Sequence, residues 1–331
     1  MKIKNKIYGI LIPTLLLLSI LHAEVPVKLA QSGMQFLSVT SDARAAALGR
    51  SVTTIDMQSA ALFYNIAGMA HQNKLFDVSL SRNNWIAGIY HHTISLSFAP
   101  AGGNYGIFGI SFLSVDYGKI QGTVHSENEQ GYLKTNILKP TAYSIGLGYA
   151  RALTNKFSVG GQVKIVHQNL GVSVVSIMDS SLSKTENAIT PVAFDFGTIF
   201  RTGFKSLKFG MFVRNFSTEV KYVSEGFQMP LEFSIGVSMD AMDFLGSSER
   251  HQVLLSVDAV HYRSHREQLN VGVEYAFRKI VQLRFGYRSG NDENNINFGL
   301  GLNYLKFAID YAYTPFGVFN TVQRFTFRFS F

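Results

Sequence analysis

The sequence predicts an all-β fold: a 14-stranded antiparallel transmembrane β-barrel with a small N-terminal helical plug. Three observations lead there. Apolar residues make up 47% of the chain and aromatics 13%, with 27 Phe and 15 Tyr, yet no run is long enough for a membrane helix. The apolar residues are instead dispersed by alternation, as in strands that show lipid one face and polar groups the other. The connections between candidate strands also alternate between short and long, a pattern that a soluble sandwich has no reason to adopt.

From the N-terminus, Lys2, Lys4 and Lys6 form a basic region, residues 7–21 an apolar one, and Leu21-His22-Ala23 a cleavage site. The apolar stretch is short for a bilayer span, so residues 1–23 are expected to be a signal peptide. The absence of cysteine excludes disulfides, a lipoprotein-type anchor and any thiolate metal site. The formal charge of +8 includes the three leader lysines, and the remainder is too scattered to argue for nucleic acid.

Residues 24–73 do not read as strands and are expected to form the plug. Ser41 or Asp42 can cap a helix that continues through Ala43, Arg44, Ala45, Ala46 and Ala47 and stops at Gly49. A second helical turn is expected from Met57 to Phe63, ending near Gly68. Fifty residues cannot hold a core alone. The segment should therefore fold inside the barrel, with Phe36, Leu37, Leu62 and Phe63 against the wall and Arg44 against a lumenal carboxylate.

Residues 74–331 are expected to form the barrel, with strands near 75–82, 91–99, 105–116, 141–152, 156–168, 191–201, 206–216, 231–240, 251–260, 268–277, 280–288, 295–304, 305–313 and 322–331. Val281, Leu283, Phe285 and Tyr287 share one face, and Gln282, Arg284, Gly286 and Arg288 the other. In the last strand Phe325, Phe327, Phe329 and Phe331 oppose Arg324, Thr326, Arg328 and Ser330. The phenylalanine face suits lipid and the polar face a lumen. The aromatic C-terminal residues Phe327, Phe329 and Phe331 resemble the signal by which bacterial barrel proteins are recognised for insertion, which implies barrel assembly machinery and outer-membrane lipid as partners.

With a periplasmic N-terminus, the even connections should be short turns, and all but the eighth, at 241–250, are. The long polar connections 117–140, 169–190 and 217–230 fall at the other end, together with the loop around Trp85. That indole can anchor a partner or sit in the interfacial aromatic belt, and the belt is the simpler role.

Here the chain resembles a family. Gly33-x-Gln35-Phe36-Leu37, Ala43-Arg44-Ala45-Ala46-x-x-Gly49, Ala60-x-x-x-Tyr64-Asn65-x-Ala67-Gly68 and Trp85-Ile86-Ala87-Gly88 are similar to the PorV/PorQ family, within the wider group of barrels resembling FadL. One departure is Asn65-Ile66-Ala67-Gly68, where the family pattern is Asn-Pro-Ala-Gly. The resemblance implies a plug motif of Gln35, Phe36, Arg44, Gly49, Asn65 and Gly68 in a bacterial outer-membrane protein. It also implies a component of the type IX protein secretion system that binds cargo C-terminal domains or attachment-complex proteins at the cell surface. A FadL-like channel for hydrophobic small molecules is the alternative.

Nothing points to an enzyme or a cofactor. His91 and His92 are strand neighbours and face opposite ways, so they cannot chelate one metal. His261 and His265 fall in a basic loop with Arg263 and Arg266. The glycine pairs 102/103, 146/148 and 299/301 open no strand-to-helix turn and lack a following Lys-Ser/Thr. They read instead as a turn and as small lumenal residues that admit a plug. Glu232, Asp258, Glu274 and Asp310 are expected to meet Arg214, Arg284, Lys306 and Arg328 across the lumen.

Overall fold

The computed structural model describes residues 32–176, 182–222, 226–246, 250–290 and 295–331. The expected signal peptide and the first residues of the expected plug lie outside that range.

Among the described residues, fourteen strands form the barrel wall: β1 (Phe76–Asn84), β2 (Tyr90–Phe98), β3 (Ile107–Asp116), β6 (Thr141–Ala152), β7 (Phe157–Ser176), β9 (Val192–Arg201), β10 (Lys208–Phe216), β13 (Glu232–Asp240), β14 (His251–Tyr262), β15 (Gln268–Phe277), β16 (Val281–Arg288), β17 (Ile296–Tyr304), β18 (Phe307–Pro315) and β19 (Thr321–Ser330). Each pairs antiparallel with its neighbours, β1 meets β19, and the β6–β7 pairing completes the ring. At the seam, the Phe76 N–H donates to the Phe331 carbonyl at 2.9 Å, and the Phe331 N–H donates back to Phe76 at 3.0 Å.

Burial alternates in the sense opposite to a soluble protein. Along β19, Arg324, Thr326 and Arg328 are buried, while Phe325 and Phe327 are 48% and 40% exposed. Exposed phenylalanine beside buried arginine is tolerable only where the outer solvent is apolar. Leu283, Phe285, Phe298 and Leu300 carry the same outward apolar surface on β16 and β17.

The wall matches the sequence expectation except above the rim. The connection 117–140 contains a hairpin of β4 (Ile120–His125) and β5 (Tyr132–Leu138). Strand β7 runs on to Ser176 and pairs there with β8 (Leu182–Ile189), although 169–190 was expected as loop. Within 217–230, β11 (Val220–Lys221) pairs with β12 (Gly226–Phe227). Most β4 and β5 positions are exposed on both faces, so no apolar stripe marks them in the sequence. The long eighth connection contains a one-turn helix, Met242–Leu245. Tyr304 and Phe307 flank a two-residue turn in which Lys306 is exposed. That turn removes Lys306 from the lumenal network in which it was expected.

The N-terminal segment lies within the ring. Asp42 caps the helix Ala43–Ala47 by accepting from the Ala45 N–H at 2.8 Å. Gly49 then leaves the helix with φ 62°, in the left-handed region. The second expected turn is a 3₁₀ helix, Gln58–Phe63, followed by a further 3₁₀ turn, Ile66–Met69. The Asn65 side chain caps the latter turn by accepting from Ala67 N–H, a role that needs no proline at position 66.

Candidate functional site

Strand glycines leave room for this segment. A Cβ on Gly286 would stand 2.0 Å from Gly49 N, one on Gly299 2.3 Å from Ala47 Cβ, and one on Gly148 2.4 Å from a Leu62 methyl. Gly160 would meet Ala67 N at 2.7 Å, and Gly197 the Asn65 side-chain oxygen at 2.0 Å. These distances are below any real carbon contact, so the inner wall and the plug backbone pack directly against each other. Leu48, Leu62, Ile66 and Met69 fill the core thus formed.

Ion pairs fix its register. Arg44 holds Glu274 with two hydrogen bonds, from Nε at 2.9 Å and Nη2 at 2.8 Å. Glu274 also accepts from Arg284 at 2.5 Å, Arg284 reaches Asp310 at 2.6 Å, and Arg328 reaches Asp310 at 2.8 Å. Five charges thus alternate in sign across the plug and β15, β16, β18 and β19. On the far side Arg50 pairs with Glu232, which also receives Arg214 at 3.4 Å. Among the described residues Asp258 meets no cation; it accepts the Thr53 N–H at 2.9 Å and hydroxyl at 2.6 Å. Near the short turns Asp56 pairs with Lys208 at 2.7 Å and Arg201 at 3.2 Å. Burial tends to raise the Asp56 carboxyl, but the Lys208 and Arg201 charges outweigh it and hold it below the ordinary carboxylate value. Sequence reading placed Glu232, Asp258, Glu274 and Asp310 in the lumen but missed the buried pair of Asp195 and Lys164, 2.7 Å apart, in which Lys164 also donates to Asn215 at 2.6 Å. Their place on polar strand faces was the available signal.

Other sequence-predicted residues separate into different places. Gln35 and Phe36 lie near the long-connection end, Gln35 donating to Ser32 Oγ at 2.6 Å. Asn65 donates to the carbonyls of Thr53 at 2.7 Å and Thr198 at 3.0 Å. A Cβ on Gly68 would stand 3.0 Å from Ile55 O. Phe327 and Phe329 flank the ring of Phe307, and Phe331 stacks on Phe76 at 5.1 Å between ring centres.

Trp85 faces inward rather than into a lipid belt. It lines a cavity of about 680 Å³ at the long-connection end, with Phe36, Ile89, Tyr117 and Phe316 among the other apolar walls. Its ring meets Phe316 edge-on at 5.1 Å, and the Arg324 guanidinium lies 5.6 Å from its centre. A second cavity of about 400 Å³ opens at the short-turn end among Arg44, Glu274, Arg284 and Arg328. The buried plug core lies between these two ends. No group of three metal-ligating side chains occurs among the described residues.

A family model for the type IX secretion system membrane protein PorP/SprF matches residues 121–320. The chain belongs to that family. The match starts beyond the motifs of residues 33–88 that resemble PorV/PorQ, so PorP/SprF is the assignment that rests on the barrel itself. Comparison with curated proteins gave no match. Among solved structures, the toluene transporter TbuX of Ralstonia pickettii is 12% identical, over 91% of this chain and 99% of that one, with a TM-score of 0.59. A FadL homologue of Pseudomonas aeruginosa is 11% identical over 88% and 99%, with a TM-score of 0.55. The Pseudomonas putida toluene transporter TodX is 12% identical over 86% and 95%, with a TM-score of 0.54. At such identities these neighbours speak for the barrel fold alone. The PorP/SprF chain is thus an outer-membrane β-barrel of a type IX secretion family, and neither that family nor these neighbours is named for an enzyme.

Proposed function

We propose that this barrel is a non-enzymatic outer-membrane component of type IX secretion. Its long-connection end faces outward and engages cargo C-terminal domains or attachment-complex proteins. In this reading the N-terminus is periplasmic, residues 24–73 are the hatch, and residues 1–23 are removed after export. The observation that carries it is the PorP/SprF match, which spans β4 to the last connection and so includes the hairpins above the rim. The interlocked plug adds support, because a core of buried side chains suits a docking platform better than an open conduit. The PorV/PorQ-like motifs of the plug favour the same system. Outer-membrane lipid and the barrel assembly machinery are the remaining partners, the latter engaged through the strand that ends at Phe331.

The second reading, a channel for hydrophobic small molecules, draws on the likeness to two toluene transporters and on the aromatic cavity beside Trp85. One deletion strain separates the two. Cargo retained in the periplasm with normal uptake of hydrophobic compounds is expected. Normal secretion with impaired uptake would overturn the secretion reading.

A further inference from the structure

The cavity beside Trp85 holds more positive charge than the described protein groups neutralise. Arg50, on one wall, is paired with Glu232. Arg324 is 3% exposed, and its hydrogen bonds go to neutral acceptors, the Thr40 carbonyl at 2.7 Å and Thr314 Oγ1 at 2.8 Å. Arg288 donates to Gln268 Oε1 at 3.2 Å and keeps a buried Nε without an acceptor. Among the described residues neither guanidinium has a carboxylate within 4.0 Å, and no acidic side chain lines the cavity. His91 lies on the same wall, 2% exposed, and neither ring nitrogen has a partner among the described residues.

A buried cation without counter-charge and a buried imidazole without a partner are both costly. Elsewhere in this lumen Arg44, Arg214, Arg284 and Arg328 each have a carboxylate. We infer that the cavity is a binding site for an apolar organic carboxylate. Its head is received by Arg288 and Arg324 with His91 beside them, and its body lies against Trp85, Ile89 and Phe316. The planar guanidinium fork matches a carboxylate, and the volume is that of a small-molecule site. A bare inorganic anion would leave the aromatic wall uncovered. The assignment does not rest on the secretion reading.

Trp85 is the chain's one tryptophan, so its emission reports this cavity directly. The full-length barrel in zwitterionic nanodiscs at neutral pH is titrated with 4-cyclohexylbutanoate and with its neutral amide, neither of which absorbs where tryptophan does. A saturable emission change with the carboxylate, and binding of the amide roughly tenfold weaker or worse, is expected. Arg288→Gln with Arg324→Gln should reduce the carboxylate to the affinity of the amide and leave the amide unchanged. Equal binding of acid and amide, no saturable response to either, or an unaltered carboxylate affinity in the double variant would overturn the site. Should the double variant fail to assemble, Arg288→Gln alone, at the strand end, must weaken the carboxylate selectively. The acid-to-amide ratio of the native protein decides the question without any variant.

Discussion

Arg44 and Glu274, 230 residues apart in sequence, are joined by two parallel hydrogen bonds of 2.9 and 2.8 Å inside the barrel. The pair ties the plug helix to β15, and Arg284 extends the link to Asp310 and Arg328 on β18 and β19. Because charges alternate along this chain, removing one member leaves its neighbours unbalanced in a poorly solvated space. Arg44→Glu places a third carboxylate beside Glu274 and Asp310 and should cost roughly 3–5 kcal/mol. The heat-modifiable band should convert at lower temperature, with increased small-solute leakage. Native melting in that variant would show that the pair does not hold the plug.

Backbone contact makes a second, sharper prediction. Gly286→Val sets side-chain carbon against Gly49 N, where even a Cβ would stand 2.0 Å away, and should cost more than about 3 kcal/mol. Gly161→Ala is the control, since its Cβ meets nothing closer than 3.6 Å. The expected result is protease access to residues 41–69 in the first variant and native resistance in the second. Equal resistance in both would mean that the inner wall tolerates bulk here.

The barrel was legible because period-two alternation is strong when one face meets lipid. The face of the strand charges that were assigned followed from the same register, which is why Glu274, Arg284, Arg288 and Arg324 could be placed inward. The carboxylates and the arginines that meet them could be named as two sets, but not which joins which or that Arg44 goes to Glu274, since pairing depends on how far the plug reaches and which strand faces which helix turn. Trp85 was ambiguous for a related reason. It sits in a connection, where no alternation tells inside from outside, and only the positions of Phe316 and Arg324 fix it. The hairpin β4–β5 escaped because a ribbon wetted on both faces carries no apolar period.

Acid should loosen the plug at its short-turn end. The Asp56 carboxyl is held below its ordinary value of 3.8, so its contribution is complete above that value and is lost as pH falls through the lower, folded-state value. Melting temperature should therefore decline in strong acid. Asp56→Asn should lower it at neutral pH and flatten that part of the profile. A profile unchanged by the substitution would assign the acid sensitivity to other carboxylates.

The β1–β19 seam extends one pair beyond its ladder, to Phe331. Phe331 gives and accepts one backbone hydrogen bond with Phe76 and stacks on its ring at 5.1 Å. Deleting Phe331, or changing Phe329 and Phe331 to Ser, removes that seam contact and the apolar surface of the terminal strand. Loss of the protein from the outer-membrane fraction, with periplasmic degradation, is expected. Fractionation showing native levels would refute it.

Shortening the β4–β5 hairpin tests where partners dock. Most of its positions are exposed, and its two strands pair with each other in a sheet separate from the barrel. Replacing residues 119–139 by a Gly-Ser linker should therefore leave melting within about 0.5 kcal/mol of native. The hairpin presents Ile120, Leu133 and Ile137 above the rim, each at least half exposed, and such side chains serve a partner better than water. On the docking reading, the shortened barrel assembles normally yet leaves cargo or attachment proteins in the periplasm. Quantifying cargo on the cell surface and in the periplasm checks this. Native surface display together with a native barrel would move the docking surface to the β7–β8 extension or the 217–231 connection.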